Sequence, residues 1–391
     1  MKQRVPFYYN EFGCITSECK DNCWEIDIDD ETYERYNNMT GELKHKIIDS
    51  ITQNEDEEYC FKLCDGKCPM LDDNGLCEIH KNLGEDYLGV VCKQFPRYSE
   101  YYGTIKESGI GLACEEAARI ILSENRPFSM ETAACDEEYE PSSEYDSSFA
   151  LQIFAAREAV FKILAKESLS IHEKLIVILD MGSKIQQCIN TDEYDNIKSV
   201  VNDYLKEGIA HTLDETRNLS DSGQFEDISL QQGIRQILYP YEEMEVLNPE
   251  WEVILKDIID SLFEQMSDEE YNILNEEFGT YMVSRAYEYR QLLEYLVFRY
   301  FAKSIYDYDF LGKCQMLVTN FFVIRQMDII RWLDNHREYS FKDRMDVVHI
   351  FSRQVEYSED NIENLYEDFI FDDIFKTDSL IAILWIDSEN I

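Results

Sequence analysis

Residues 149–179 read FALQIFAAREAVFKILAKESLSIHEKLIVIL. Leu151, Phe154, Phe161 and Leu164 recur at helical spacing, and Ile171, Leu175, Ile178 and Leu179 repeat the pattern. Apolar residues three and four apart fall on one side of a 3.6-residue helix, so the stretch predicts successive amphipathic helices. Leu292, Tyr295, Leu296 and Tyr300 continue the period downstream. Proline is scarce beyond Phe149 and β-branched alternation is rare. The region 141–391 is therefore expected to be an all-α domain, and the chain as a whole mainly α. Its most polar interval, TLDETRNLSDSGQFEDISLQQG at 212–233, reads as a long loop between two helical groups, and no repeat of fixed period is present.

Upstream, the pattern is set by thiols. Most of the twelve cysteines lie in the first third of the 391 residues. Cys14, Cys19 and Cys23 are spaced C-x4-C-x3-C, and Cys60, Cys64, Cys68, Cys77 and Cys92 are spaced C-x3-C-x3-C-x8-C-x14-C, with Cys114 beyond. Soft thiolates hold zinc or iron-sulfur clusters, and converging thiols left reduced and empty are an oxidation liability. The spacings match neither a pair of CxxC knuckles nor a bacterial ferredoxin run. They also miss the C-x3-C-x2-C of radical enzymes, since Cys64 and Cys68 are one residue too far apart. Disulfides are the competing reading, but they need an oxidising compartment. The opening MKQRVPFYYNEFG carries no apolar export segment, so a cytoplasmic location and a metal or cluster domain over 1–140 are expected. His80, three residues past Cys77, is a further candidate ligand for a Cys3His site.

Around the thiols, Ile26 and Ile28 alternate with acids as in a short strand, and Asp29 or Asp30 is placed to cap a helix through YERYNNMTGELKHKIIDSI. Asp72-Asp73-Asn74-Gly75 is turn chemistry, so Cys68 and Cys77 should flank a tight loop. HKNLGEDYLGVVC reads as a short helix returning Cys92 toward that turn. GLACEEAARIILSENRP reads as an amphipathic helix starting near Cys114, with Ala117, Ile120 and Ile121 on one face. The acidic, Ser-rich residues 129–149 read as a linker or ordered surface loop.

The formal charge is -44. Such a field repels phosphate backbones, which excludes nucleic acid as a partner, and attracts lysine-rich protein surfaces. It also describes a heavily solvated surface. No run approaches the roughly 18 to 20 apolar residues a membrane helix needs, so no membrane partner is expected.

Several segments together resemble the bacterial flagellin lysine-N-methylases, whose cysteine-rich N-terminus is shared with zinc- or iron-chelating CxxxCxxCC proteins. They are C-ITSE-C-KDN-CW-EIDID at 14–29, CPMLDDNGLCEIHKNLGEDYLGVVCKQFPR at 68–97 and LACEEAARIIL at 112–122. EYLVFRYF at 294–301, FFVIRQM at 321–327 and SRQVEYS at 352–358 resemble the C-terminal signatures. The resemblance implies methyl transfer from S-adenosylmethionine to flagellin lysines, with a metal or iron-sulfur centre, four-iron or zinc. It implies Cys14, Cys19, Cys23, Cys68, Cys77, Cys92 and Cys114 as candidate ligands, with Cys19, Cys23, Cys77 and Cys92 as the inner set. The chain departs from the pattern at three points. Trp24 follows Cys23 directly where the family has CC-x-GW, Cys60 and Cys64 are extra, and Tyr357 stands at the family's late histidine. A modifying enzyme of another peptide, or a non-catalytic cluster-binding or redox-sensing module, are the alternatives.

No catalytic residue is assigned, because no glycine-rich strand-to-helix fingerprint marks a donor site. Arg97 is the candidate for the donor carboxylate; capping of nearby carbonyls is its structural alternative. Tyr98, Tyr101 and Tyr102 form either an aromatic slot for a methylated ammonium or simple packing. Arg299, Arg325 and Arg353 lie in apolar helical segments, where a guanidinium needs a partner, and internal ion pairs are expected for them.

Overall fold

The computed structural model describes residues 1–15, 26–54, 58–62, 64, 68–74, 76–135 and 146–389. Among the described residues six strands run β1 (Lys2–Pro6), β2 (Ile51–Gln53), β3 (Tyr59–Phe61), β4 (Arg97–Tyr102), β5 (Ile105–Ile110) and β6 (Met130–Ala134). The helices of the first third are α1 (Asp30–Asn38), α2 (Glu42–Asp49), α3 (Glu78–Leu83), α4 (Val90–Gln94) and α5 (Glu115–Leu122). Beyond them come α6 (Ser147–Leu164), α7 (Ile171–Asn190), α8 (Ile197–Asp203), α9 (Ile209–Asp221), α10 (Leu230–Glu242), α11 (Pro249–Ile258) and α12 (Asp268–Met282). The chain closes with α13 (Ala286–Tyr300), α14 (Ser304–Asp307), α15 (Phe310–Asp334), α16 (Phe341–Val355), α17 (Glu359–Phe371) and α18 (Thr377–Glu389).

The molecule is mainly helical, as the periodicity requires. Ser170 and Glu173 form a reciprocal capping box at the start of α7, so the break between α6 and α7 is written in local chemistry. α15 is buried along nearly its whole length and on every side. A helix buried all round lies at the centre of a body, and α7, α13 and α16 pack around it. Leu151 is an exception to the expected stripe. It is 68% exposed, whereas Ala150, Ile153, Ala156 and Val160 are buried; small alanines let α6 seat closely and rotate its buried face away from Leu151. The interval 212–233 is not one loop. α9 runs through Asp221 and α10 starts at Leu230, capped by Ser229, because Thr212, Leu213 and Thr216 bury a face that their polar neighbours obscure in the sequence.

Four strands form a sheet in the order β4-β5-β1-β6, with β1 parallel to β5 and the other pairs antiparallel. The segment expected as linker or surface loop thus supplies an edge strand: Met130 to Ala134 pair with Pro6 to Lys2. Residues 136–145 lie outside the described residues. The sheet shares one apolar core with the helical body, running from Tyr8 through Ile110 and the C-terminal helices to Trp385. A buried ion pair crosses the join. Arg157 on α6 donates through Nη1 and Nη2 to the two oxygens of Glu107 on β5, both at 2.6 Å, with both residues buried. A bidentate pair of this kind fixes orientation as well as distance.

A second, smaller core gathers Ile26, Ile28, Tyr36, Ile47, Phe61, Cys68, Met70 and Ile79. The expected extended segment pairs there, Asp27 bridging Cys60. Asp29 caps α1 by accepting from Thr32 N at 2.9 Å. The helix expected through residue 51 is two helices, parted by Gly41 at φ 113°, a backbone angle L side chains rarely adopt.

Candidate functional site

Two places concentrate chemistry. The first is the small core. Asp72 Oδ1 accepts from Asn74 N at 2.9 Å and Leu76 N at 3.0 Å, closing the turn between Cys68 and Cys77 as its sequence requires. α3 and α4 then bring Cys92 to the same core, where Cys77 and Cys92 are half-buried. Burial pushes the Cys68 thiol up to about 11, and the thiols of Cys77 and Cys64 add to that effect. The Tyr36 phenol is raised by burial and then by Cys92 and Cys77, so Cys77 lies between the surroundings of Cys68 and Cys92.

Soft sulfur donors turned into a small apolar core suit a thiophilic metal. Among the described residues no three donors stand together closely enough to hold an ion. Cys19 and Cys23, half of the expected inner set, lie outside the described residues. The remaining candidates sit elsewhere. Cys14 is exposed, and Cys114 caps α5 and packs against the main core. Cys60 is buried on β3, Cys64 is exposed, and His80 is exposed on α3. No disulfide is present among the described residues.

The second place is where the sheet meets α13 and α16. Arg299 on α13 is paired, as an arginine in an apolar helix must be: its Nε lies 3.1 Å from Glu356 Oε2. The same oxygen accepts from Tyr295 Oη at 2.7 Å and Tyr300 Oη at 3.2 Å. Arg299 Nη1 donates to Tyr295 Oη at 2.8 Å, and its guanidinium lies 4.6 Å from the ring centre of Tyr98. Arg299 therefore occupies a cationic position among tyrosines, and only one oxygen of Glu356 is engaged. Glu356 Oε1, Tyr98 Oη and Tyr8 Oη are buried without a hydrogen-bond partner among the described residues.

Local sequence makes this junction possible. Tyr98 pairs with Gly109 across the β4–β5 hairpin, and its ring lies over that glycine, where a Cβ would come within 2.4 Å of Tyr98 Oη. A Cβ on Gly111 would meet Arg299 Nη1 and Tyr357 Oη, each at 3.2 Å. Glu356 is the C-cap of α16, where the helix dipole disfavours a carboxylate. It is held there by the Arg299 cation and the two phenols. Burial raises the phenols of Tyr8, Tyr98, Tyr295 and Tyr300, so they remain hydroxyls. Beside them Glu294 is paired with Arg290 at 2.7 and 2.8 Å, yet burial pushes its carboxyl up to about 7.

Of the other sequence candidates, Arg97 is exposed at the start of β4 with its guanidinium 4.8 Å from the Phe12 ring. Tyr101 offers its carbonyl to Tyr306 Oη, and Tyr102 is core packing, so of the three tyrosines Tyr98 alone joins the junction. Arg325 is an internal group, donating to Asn275 Oδ1 at 3.0 Å and lying 3.8 Å from Asp387. Arg353 is half-buried, 3.4 Å from His349 Nε2. Sequence reading missed Tyr8, Glu294 and Glu356. The available signal was Arg299 itself, a buried cation demanding an acid, with Glu356 inside the neighbouring motif SRQVEYS.

A family model for the FliB lysine N-methylase C-terminal domain matches residues 157–383, from within α6 to within α18. Over 128 residues the chain is 30% identical to a lysine-N-methylase of Salmonella typhimurium, covering 30% of this chain and 32% of that protein. A lysine-N-methylase of Salmonella choleraesuis gives the same figures. The flagellar biosynthetic protein FliU of Salmonella muenchen is 30% identical over 128 residues and 76% covered. The match thus spans about a third of the length of the two lysine-N-methylases. No solved structure matches. Because the family model takes in more than half of the chain, including the helices that carry Arg299 and Glu356, the chain belongs to the FliB lysine N-methylase family.

Proposed function

We propose that this chain is a protein-lysine N-methyltransferase that takes its methyl group from S-adenosylmethionine and acts on flagellin in the cytoplasm. One observation carries the reading: the family-matching helices α13 and α16 enclose, against the sheet, a buried carboxylate ringed by tyrosines. Lysine methylation needs a deprotonated amine, a fixed approach and a place without bulk water. A buried junction with an incompletely engaged carboxylate provides the last and can take the amine proton. The flagellar names of relatives support the substrate, and a net charge of -44 suits the approach of lysine-bearing surfaces.

S-adenosylmethionine supplies an electrophilic methyl group when bound. Arg97, exposed beside the cysteine segment, pairs with its carboxylate in this reading. Cys19, Cys23, Cys77 and Cys92 are the thiols that would hold a zinc ion or four-iron cluster in this reading. Among the described residues no helix is long and apolar enough to cross a membrane.

The test is incubation of the purified chain, prepared without oxygen, with methyl-labelled S-adenosylmethionine and flagellin. Label in flagellin lysines is expected, along with a rise in Tm on donor binding. Neither label nor a donor-induced Tm rise would defeat the reading and favour a non-catalytic module.

A further inference from the structure

The methyltransferase reading brings the acceptor amine to the Glu356 junction without naming the groups that hold it there. We infer that Glu356 Oε1, Tyr98 Oη and Tyr8 Oη form a binding site for a primary alkylamine, the side chain of a substrate lysine. The inference rests on the methyltransferase reading for its biological meaning, and on the geometry of the junction for its chemistry.

Buried polar groups in folded proteins nearly always find partners, so each exception asks for an explanation. Here three exceptions meet at one junction. Arg299 ties Tyr98 to Glu356, its guanidinium 4.6 Å from the Tyr98 ring centre and its Nε 3.1 Å from Glu356 Oε2. Tyr8 is 2% and Glu356 6% exposed, and the Tyr8 phenol, raised chiefly by burial, responds also to Tyr98, Glu294, Arg299 and Glu356. The three groups come from the segment after β1, from β4 and from the end of α16, so no local turn explains their meeting. An amine is the ligand whose chemistry fits. It carries hydrogens for a carboxylate oxygen and for phenol oxygens, and its nitrogen lone pair can accept from a phenol O–H.

The charge arrangement selects further. Arg299 already neutralises Glu356 through Oε2, and it fills the cationic position over Tyr98. The junction therefore offers hydrogen-bond acceptors with little net negative charge, and removal from water favours the uncharged amine. That is the form a methyl acceptor must have. Glu356 itself stands at a helix C-terminus against the dipole. A carboxylate kept in such a position, with one oxygen unengaged, has more than packing to do. Access is short. Tyr357, next in the chain, is 46% exposed and its ring centre lies 6.2 Å from that of half-buried Phe95. Gly111 adds no side chain between this aromatic pair and Arg299. The site takes two of its three groups from outside the region that the family model matches.

The test uses the full chain and two variants, Tyr8→Phe and Tyr98→Phe, with n-butylamine as the probe. Each variant removes a hydroxyl that has no partner in the folded protein. A structural role therefore predicts little, and relief from an unsatisfied buried group predicts an unchanged or higher Tm. The expected result is that n-butylamine raises the Tm of the wild type and loses that effect in both variants. With a flagellin lysine peptide, KM should rise roughly tenfold in each variant while kcat changes little, as loss of one hydrogen bond to the bound amine requires. The assignment is overturned if butylamine leaves the wild-type Tm unmoved, if both variants respond as the wild type does, or if either variant is destabilised. A wild type that is stabilised by butylamine but methylates no flagellin would uphold the site and defeat the methyltransferase reading alone.

Discussion

Glu294 gives a stability prediction whose sign and size follow from its surroundings. Its side chain is 3% exposed, and burial raises its carboxyl from the ordinary value of 4.5 to about 7, the opposing Arg290 and Lys174 notwithstanding. A carboxyl that binds its proton more tightly folded than unfolded favours the folded state fully below pH 4.5. That contribution is lost as the pH rises toward 7 and stays lost above it. The difference amounts to about 3 kcal/mol. Glu294→Gln keeps the shape and an oxygen for Arg290 but cannot ionise, so it should track the wild type below about pH 4. At pH 8 it should have gained about 3 kcal/mol relative to the wild type. Urea unfolding of both proteins across this range, read as their difference at each pH, cancels the titration of the many other acids. A difference constant to within about 0.5 kcal/mol, the usual additivity error, would refute the argument and show that the Arg290 pair, not burial, governs this carboxyl.

Two further expectations concern packing and the thiols. A Cβ at Gly182 of α7 would lie 2.5 Å from Cys314 Sγ and 3.2 Å from its Cβ on α15, so Gly182→Ala should destabilise by about 1–2 kcal/mol. Overpacking outweighs the roughly 1 kcal/mol of helix propensity gained, and Cys314→Ala should recover part of the loss in a double-mutant cycle of unfolding free energies. Cys77→Ser and Cys92→Ser should lose bound metal and thermal stability together, because a structural metal contributes folding free energy. Metal and acid-labile sulfide analysis of anaerobically purified protein reads this directly, and unchanged metal content in both variants would remove them from the ligand set.

By itself the sequence determined the helical body, the Asp29 cap of α1, the tight turn between Cys68 and Cys77, and the need of Arg299 for an acid. These follow from period, from side chains that bond their own backbone, and from the desolvation of a guanidinium, all properties of a few neighbouring residues. The sheet was not legible. β1 and β5 pair as parallel neighbours about a hundred residues apart, and β6 joins them from a segment whose composition reads as a surface loop. Only the tertiary structure decided which acid answers Arg299 and that Tyr8 and Tyr98 stand beside it. It also decided that the oxygens of Glu356 have unequal company and that Glu294 loses its water. Partners across hundreds of residues are chosen by how the sheet seats on α13 and α16, and no periodicity within either segment carries that information.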